Sequence, residues 1–197
     1  VDGLVRLAHR LARSGVPAFS VGGQDGWTLA DWFSNLYLRL AGPVQYDLLA
    51  AHRIPWTDPS VIATLRLLAR VLDPHVIAGG PREAAATSYQ ESVQQAFATP
   101  PAAAMVFEGD FVAGIISGVT PAALGVNADV FPFPALGQPG PMVVAGGDAA
   151  VLMRRSAAGD ALIRYLASPQ AAAIWAAAGG FISPNINLGL SVYPDAI

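Results

Sequence analysis

The sequence predicts an α/β fold that is rich in helix, sparse in strand and divided between two lobes. Apolar residues recur at helical spacing through most of the first hundred positions. Strand-like apolar runs are short and scattered, and they begin near Ala103. Two of these runs flank a Pro/Gly-rich connection, Pro134 to Pro141, as expected of a chain that crosses from one lobe to another.

Taken in order, residues 4–13 place Leu4, Leu7, Ala8 and Leu11 on one helical face, with Arg6, Arg10 and Arg13 opposite. No N-cap precedes this helix, so its start is expected upstream of Val1. A Gly-rich loop with a short apolar run follows, PAFSVGGQDGW. Thr28 and Asp31 have the spacing of a capping box, and Trp32, Phe33, Leu36, Tyr37 and Leu40 follow at helical spacing. Gly42-Pro43 stops that helix, and a shorter one is expected around residues 44–51. Thr57-Asp58-Pro59 caps the clearest amphipathic helix, VIATLRLLARVL, which Asp73-Pro74 ends. The loop through Gly79, Gly80 and Pro81 is expected to be exposed, with a helix over residues 89–98.

AAMVF then reads as a short buried strand, and EGDFVAGIIS as a turn leading into a helix. Asp129 to Phe133 reads as a strand, and Met142 to Met153 as strand, GGD turn and strand. ALIRYLA is helical. Ser168-Pro169 opens an alanine-rich helix that Gly179-Gly180 closes. Trp32, Trp56 and Trp175 are expected to pack in the core.

Composition narrows the function classes. With 197 residues, 53% hydrophobic and 13% charged, the chain can bury a core without disulfides or metal and is not generally disordered. A formal net charge of −3 argues against a nucleic-acid partner, which needs a basic stripe. All the basic side chains other than histidine are arginine. The lack of cysteine excludes Cys-type zinc, Fe–S clusters and thiol nucleophiles, and is compatible with export. No signal peptide is visible at Val1. Phe111 to Gly147 carries one charge, Asp129, but proline and glycine interrupt it too often for a membrane span. It reads as a buried or hinge-like stretch of a soluble protein.

Three clusters carry chemistry. No P-loop, dinucleotide fingerprint, zinc-protease or nucleophile-elbow motif occurs, and the three histidines lie far apart, so no metal, cofactor or catalytic triad is expected. In GGQDGW, the glycines allow close backbone approach, Asp25 accepts hydroxyl donors, and Trp27 offers a flat apolar face. That combination suits a sugar; the structural alternative is a turn whose Trp closes the helix end. In VFEGDF, Glu108 and Asp110 follow a buried strand, where ligand crevices form in α/β proteins. They suit hydrogen bonding to a ligand, a glycosidase acid/base pair, or a solvated turn capped by Asp110. In AGGDAAV, Asp148 stands among apolar residues, either in a solvated turn or beside a ligand. Phe181 either reaches a cleft or caps its helix.

On these residues the sequence resembles the extracellular solute-binding proteins of ABC transporters that take up sugars and glycosides, actinobacterial α-glucoside-type proteins in particular. PAFSVGGQDGWTLADWF, IPWTDPSV, AAMVFEGDFVAG, DVFPFPALGQPG, VVAGGDAAVLM and YLASPQAAAIWAAAGGFISPN carry the likeness, in the family's order across nearly the whole chain. The resemblance implies a two-lobed, type II periplasmic-binding-protein-like fold that closes on its ligand like a hinge. Residues 1–131 would belong to the second, helical lobe. DVFPFP would cross the hinge, so that 132–182 hold the crossing and a return segment of the first lobe, and 183–197 start back toward the second.

The resemblance also assigns Asp25 and Trp27 to the sugar, Glu108 to a polar contact, and Phe111 to a position often held by a stacking Trp. Asp148 would lie beside the cleft. It implies a monomeric receptor without catalysis or cofactor that hands a carbohydrate to a membrane permease. Such receptors are exported and often lipid-anchored, and their mature chains are about twice this long, so the chain reads as a piece cut at both ends. The rival functions are a carbohydrate-active enzyme using Glu108 and Asp110, and a helical interaction domain without a small ligand.

Overall fold

The computed structural model describes residues 1–123, 125–137, 140, 142–179 and 181–194. They form two compact units, Val1–Glu108 with Thr120–Val144, and Gly109–Val119 with Ala145–Ile197. Gly180, three positions of the Pro/Gly-rich connection and the last three residues of the expected C-terminal crossing lie outside the described residues.

The first unit is built around two parallel strands, β1 (Phe19–Ser20) and β2 (Met105–Val106), with Phe19 opposite Met105 and Ser20 opposite Val106. On the other side of β1, Ile77 forms a parallel bridge with Phe19. Six helices surround this centre: α1 (Asp2–Arg13), α2 (Trp27–Ala41), α3 (Pro43–Ala50), α4 (Pro59–Val71), α5 (Gly80–Ala84) and α6 (Tyr89–Phe97).

Local chemistry accounts for their starts. The Asp58 carboxylate accepts the Ser60 amide proton at 2.9 Å, and Pro59 occupies the first helical position of α4. Ser88 and Glu91 form a reciprocal capping box at α6. The box expected at Thr28 does not form. The helix starts two residues earlier, after Gly26 at φ +74°, and buried Thr28 turns inward to donate its hydroxyl to the Gly22 carbonyl. A left-handed glycine before the helix makes that earlier start possible. The expected loop at Gly79–Pro81 contains the start of the short helix α5.

Leu4, Ala8, Phe19, Val21, Trp32, Val71 and Val76 close the main core around the strands. Trp32 is 2% exposed and meets Phe19, Phe107 and Phe133 at ring-centroid distances of 5.6, 4.5 and 5.9 Å. Phe33, Tyr37, Leu49 and Val61 form a second cluster between α2, α3 and α4.

The second unit holds α7 (Ala113–Val119), α8 (Ala157–Leu166) and α9 (Pro169–Ala178), with 3-10 turns at Asp110–Val112 and Leu190–Val192. Ser156 and Ser168 cap α8 and α9 through the Gly159 and Ala171 amides. The strands expected at Asp129–Phe133 and Met142–Met153 are absent from the described residues there. A strand exists only against a neighbour, and no backbone–backbone hydrogen bond holds the described part of either stretch.

Nor is Phe111–Gly147 a buried stretch, since Val126 and Val143 are more than four-fifths exposed. No helix among the described residues is long and apolar enough to cross a membrane. Trp56 and Trp175, expected in the core, are 59% and 62% exposed. Helical spacing marks a face but not what covers it.

Candidate functional site

Both strands of the first unit end at the sequence clusters. β1 runs into Val21-Gly22-Gly23, and β2 into Phe107-Glu108. The carboxyl ends of parallel strands are where crevices open in α/β folds.

The two glycines serve the protein's own backbone. A Cβ on Gly22 would stand 2.6 Å from Tyr89 Cα, and one on Gly23 would stand 2.8 Å from the Ala84 carbonyl oxygen. The Gly23 amide donates to that same carbonyl at 2.8 Å, and the Gln24 amide donates to the Thr87 carbonyl at 3.0 Å. The loop is thereby joined to the connection between α5 and α6.

This junction places Asp25 at the N-terminus of α6. One carboxylate oxygen, Oδ2, accepts the Tyr89 amide proton at 3.0 Å, where the helix dipole favours negative charge. The Trp27 ring meets Tyr89 edge to face, with centroids 5.1 Å apart, and stays about a third exposed. Asp31 lies one turn along α2 from Trp27. Burial holds the Asp31 carboxyl above its usual range.

Glu108 is half-buried and stays protonated well into the neutral range, with its pKa pushed up to about 8. Burial is the main cause, and the charges of Asp31 and Asp25 add to it. A neutral carboxyl there both donates and accepts hydrogen bonds, whereas an ionised carboxylate only accepts. Among the described residues no group of three His, Asp or Glu side chains is arranged to hold a metal ion.

The structure thus brings together Asp25, Trp27 and Glu108, and it adds Asp31 and Tyr89, which the sequence reading missed. Asp31 was detectable as the position one helical turn after Trp27. Tyr89 had no local signal, because a tertiary contact brings it to the loop. Phe111, Asp148 and Phe181 belong to the second unit. Phe111 lies in a 3-10 turn packed close to Gly109. Asp148 is exposed in an irregular stretch, and Phe181 stacks on Trp175 at 4.4 Å.

No family model and no solved structure matches the chain. It is similar to the osmoprotective compounds-binding protein GgtB of Synechocystis sp., with 29% identity over 201 residues, 98% of this chain and 47% of that protein. It is also similar to the alpha-glucosides-binding periplasmic protein AglE of Rhizobium meliloti, with 26% identity over 203 residues, 98% of this chain and 43% of that protein. The likeness is to solute-binding proteins, along nearly the whole chain. Both names describe binding, and neither describes catalysis. The chain spans about half the length of the curated relatives it matches.

Proposed function

We propose that the chain belongs to an exported receptor that captures a sugar or glycoside and presents it to the membrane permease of an ABC importer, without catalysis. The observation that carries this reading is the match of 98% of the chain to two proteins named for binding small solutes, one of them for alpha-glucosides. The name of the other relative extends the solute class to osmoprotective compounds. The site chemistry agrees, since an indole about a third exposed beside carboxyl groups suits a ligand with an apolar C–H face and many hydroxyls.

In this proposal Trp27 packs on the ring of the ligand, and Asp25 and Glu108 hydrogen-bond its hydroxyls. Phe111, Asp148 and Phe181 are proposed as further ligand-binding residues. The architecture proposed is the two-lobed type II fold, with 1–131 in the helical lobe, 132–182 crossing to the other lobe and returning, and 183–197 crossing back. Capture then needs only a higher affinity for the closed than for the open state.

Thermal melts of the complete receptor against mono-, di- and trisaccharides and small osmolytes test the proposal. A ligand specific for the folded state adds about 2.7 kcal/mol at a hundredfold excess over Kd. An upward shift in Tm with one glycoside class, abolished in Trp27→Ala, is the expected result. A flat panel overturns the receptor reading. Turnover of a chromogenic glycoside that is lost in Glu108→Gln would replace it with an enzyme.

A further inference from the structure

Arg39 is the half-buried cation of the first unit that no carboxylate neutralises among the described residues. It lies on α2, two turns from Asp31 and one from Asn35. Its Nε donates to Asn35 Oδ1 at 2.9 Å, and its Nη2 donates to the Met142 carbonyl at 2.7 Å. Its guanidinium carbon sits 5.5 Å from the centre of the Phe133 ring. Burial lowers its pKa, yet the group stays charged at any ordinary pH.

These contacts fall where the chain leaves the first unit, since Met142 lies two residues before the boundary at Val144. Apart from the Val1 amine, which donates to the Ala135 carbonyl at 3.4 Å, the described part of 129–144 makes no backbone–backbone hydrogen bond, so side chains supply most of its hold. The apolar hold is Phe133, seated against Trp32 and Phe107. The polar hold near the exit is Arg39. Asn35 is 7% exposed, and its Nδ2 has no hydrogen-bond partner among the described residues. A buried amide with one orphaned donor is costly, so its retention fits a role in which Oδ1 orients the guanidinium.

We infer that Arg39 is a positioning residue that, oriented by Asn35, clamps Phe133 and Met142 to α2, so that the chain leaves the first unit from a fixed point. The same helix carries Trp27 and Asp31 at its other end. On the receptor reading, from which this step starts, the clamp keeps the crossing in register with the ligand site.

The absence of cysteine allows a single spin label at Val143→Cys, a position 81% exposed, in the complete protein. With Arg39 present the label's backbone motion is restricted. Arg39→Met, which keeps the aliphatic stem, is expected to shorten the rotational correlation time about twofold. A control label at Val44→Cys on α3 should not change. Arg39→Lys, which cannot hold Met142 and Asn35 together, should fall between. Equal mobility in the parent and Arg39→Met overturns the clamp. Should Arg39→Met fail to fold, Asn35→Leu is read in its place, and unchanged mobility there overturns it as well.

The second readout is affinity for a solute found in the melts. Arg39→Met removes both hydrogen bonds, and loss of the one to the exit segment, at Met142, predicts capture weakened about tenfold. Equal affinity despite a freed label refutes the positioning role. A freed label in a protein that binds no solute leaves the clamp standing and removes the receptor reading.

Discussion

Glu108→Gln offers the sharpest test of the site's electrostatics. In the folded chain the carboxyl holds its proton until about pH 8, against an ordinary value of 4.5. Between those values the unfolded chain binds fewer protons than the folded one. Stability therefore falls as pH rises through that window. The contribution of Glu108 is full below about pH 4.5, is lost progressively up to about pH 8, and is flat above.

At ~1.4 kcal/mol for each tenfold change in proton affinity, the ceiling is ~5 kcal/mol. Glu108 is only half-buried, and solvent screening brings the working figure to ~2 kcal/mol. Glutamine keeps the shape and cannot ionise. The parent and Glu108→Gln should thus have similar stability near pH 4.5, and the variant should be more stable by ~2 kcal/mol at pH 9. Urea unfolding from pH 4.5 to 9, followed by tryptophan fluorescence, measures the difference directly. Asp25 and Asp31 are present in both proteins and cancel to first order. Parallel stability profiles across this range would refute a buried neutral carboxyl beside those two acids.

Other perturbations probe the scaffold of the site. Gly22→Ala puts a methyl into the Tyr89 backbone, which has no flexible end to move aside. A loss of ~2–3 kcal/mol in urea unfolding is expected, and a neutral result would show that the loop and α6 are not in contact. Asp58→Ala removes the cap on the Ser60 amide, at a cost of ~1 kcal/mol in the same assay.

The legibility of these features follows the range of the interactions behind them. Helices α1, α4, α8 and α9 were readable because apolar periodicity is local and, for α4 and α9, the cap is too. Thr28 misled because its hydroxyl had a carbonyl six residues upstream to bond, which competes with capping. The runs at Asp129–Phe133 and Met142–Met153 had strand composition without a partner strand among the described residues. Trp27 and Asp25 could be singled out by type and by their glycine-rich setting. Their actual neighbours, Tyr89 and Glu108, are remote in sequence.

Sequence alone thus determined that the chain is helix-rich and strand-poor, where most of its helices lie, and where α4 and α9 start, since these depend on groups within a turn or two of each other. Its family likeness also rests on residues that can be read in order. Tertiary structure decided that Gly22 and Gly23 press on the protein's own backbone, that Glu108 is neutral, and that Arg39 reaches Met142. Each of these depends on segments brought together by the parallel pairing of β1 with β2 and by the packing of α2 around it. Close approach, desolvation and charge coupling all depend on distance in space, and no local pattern of residue types encodes that distance.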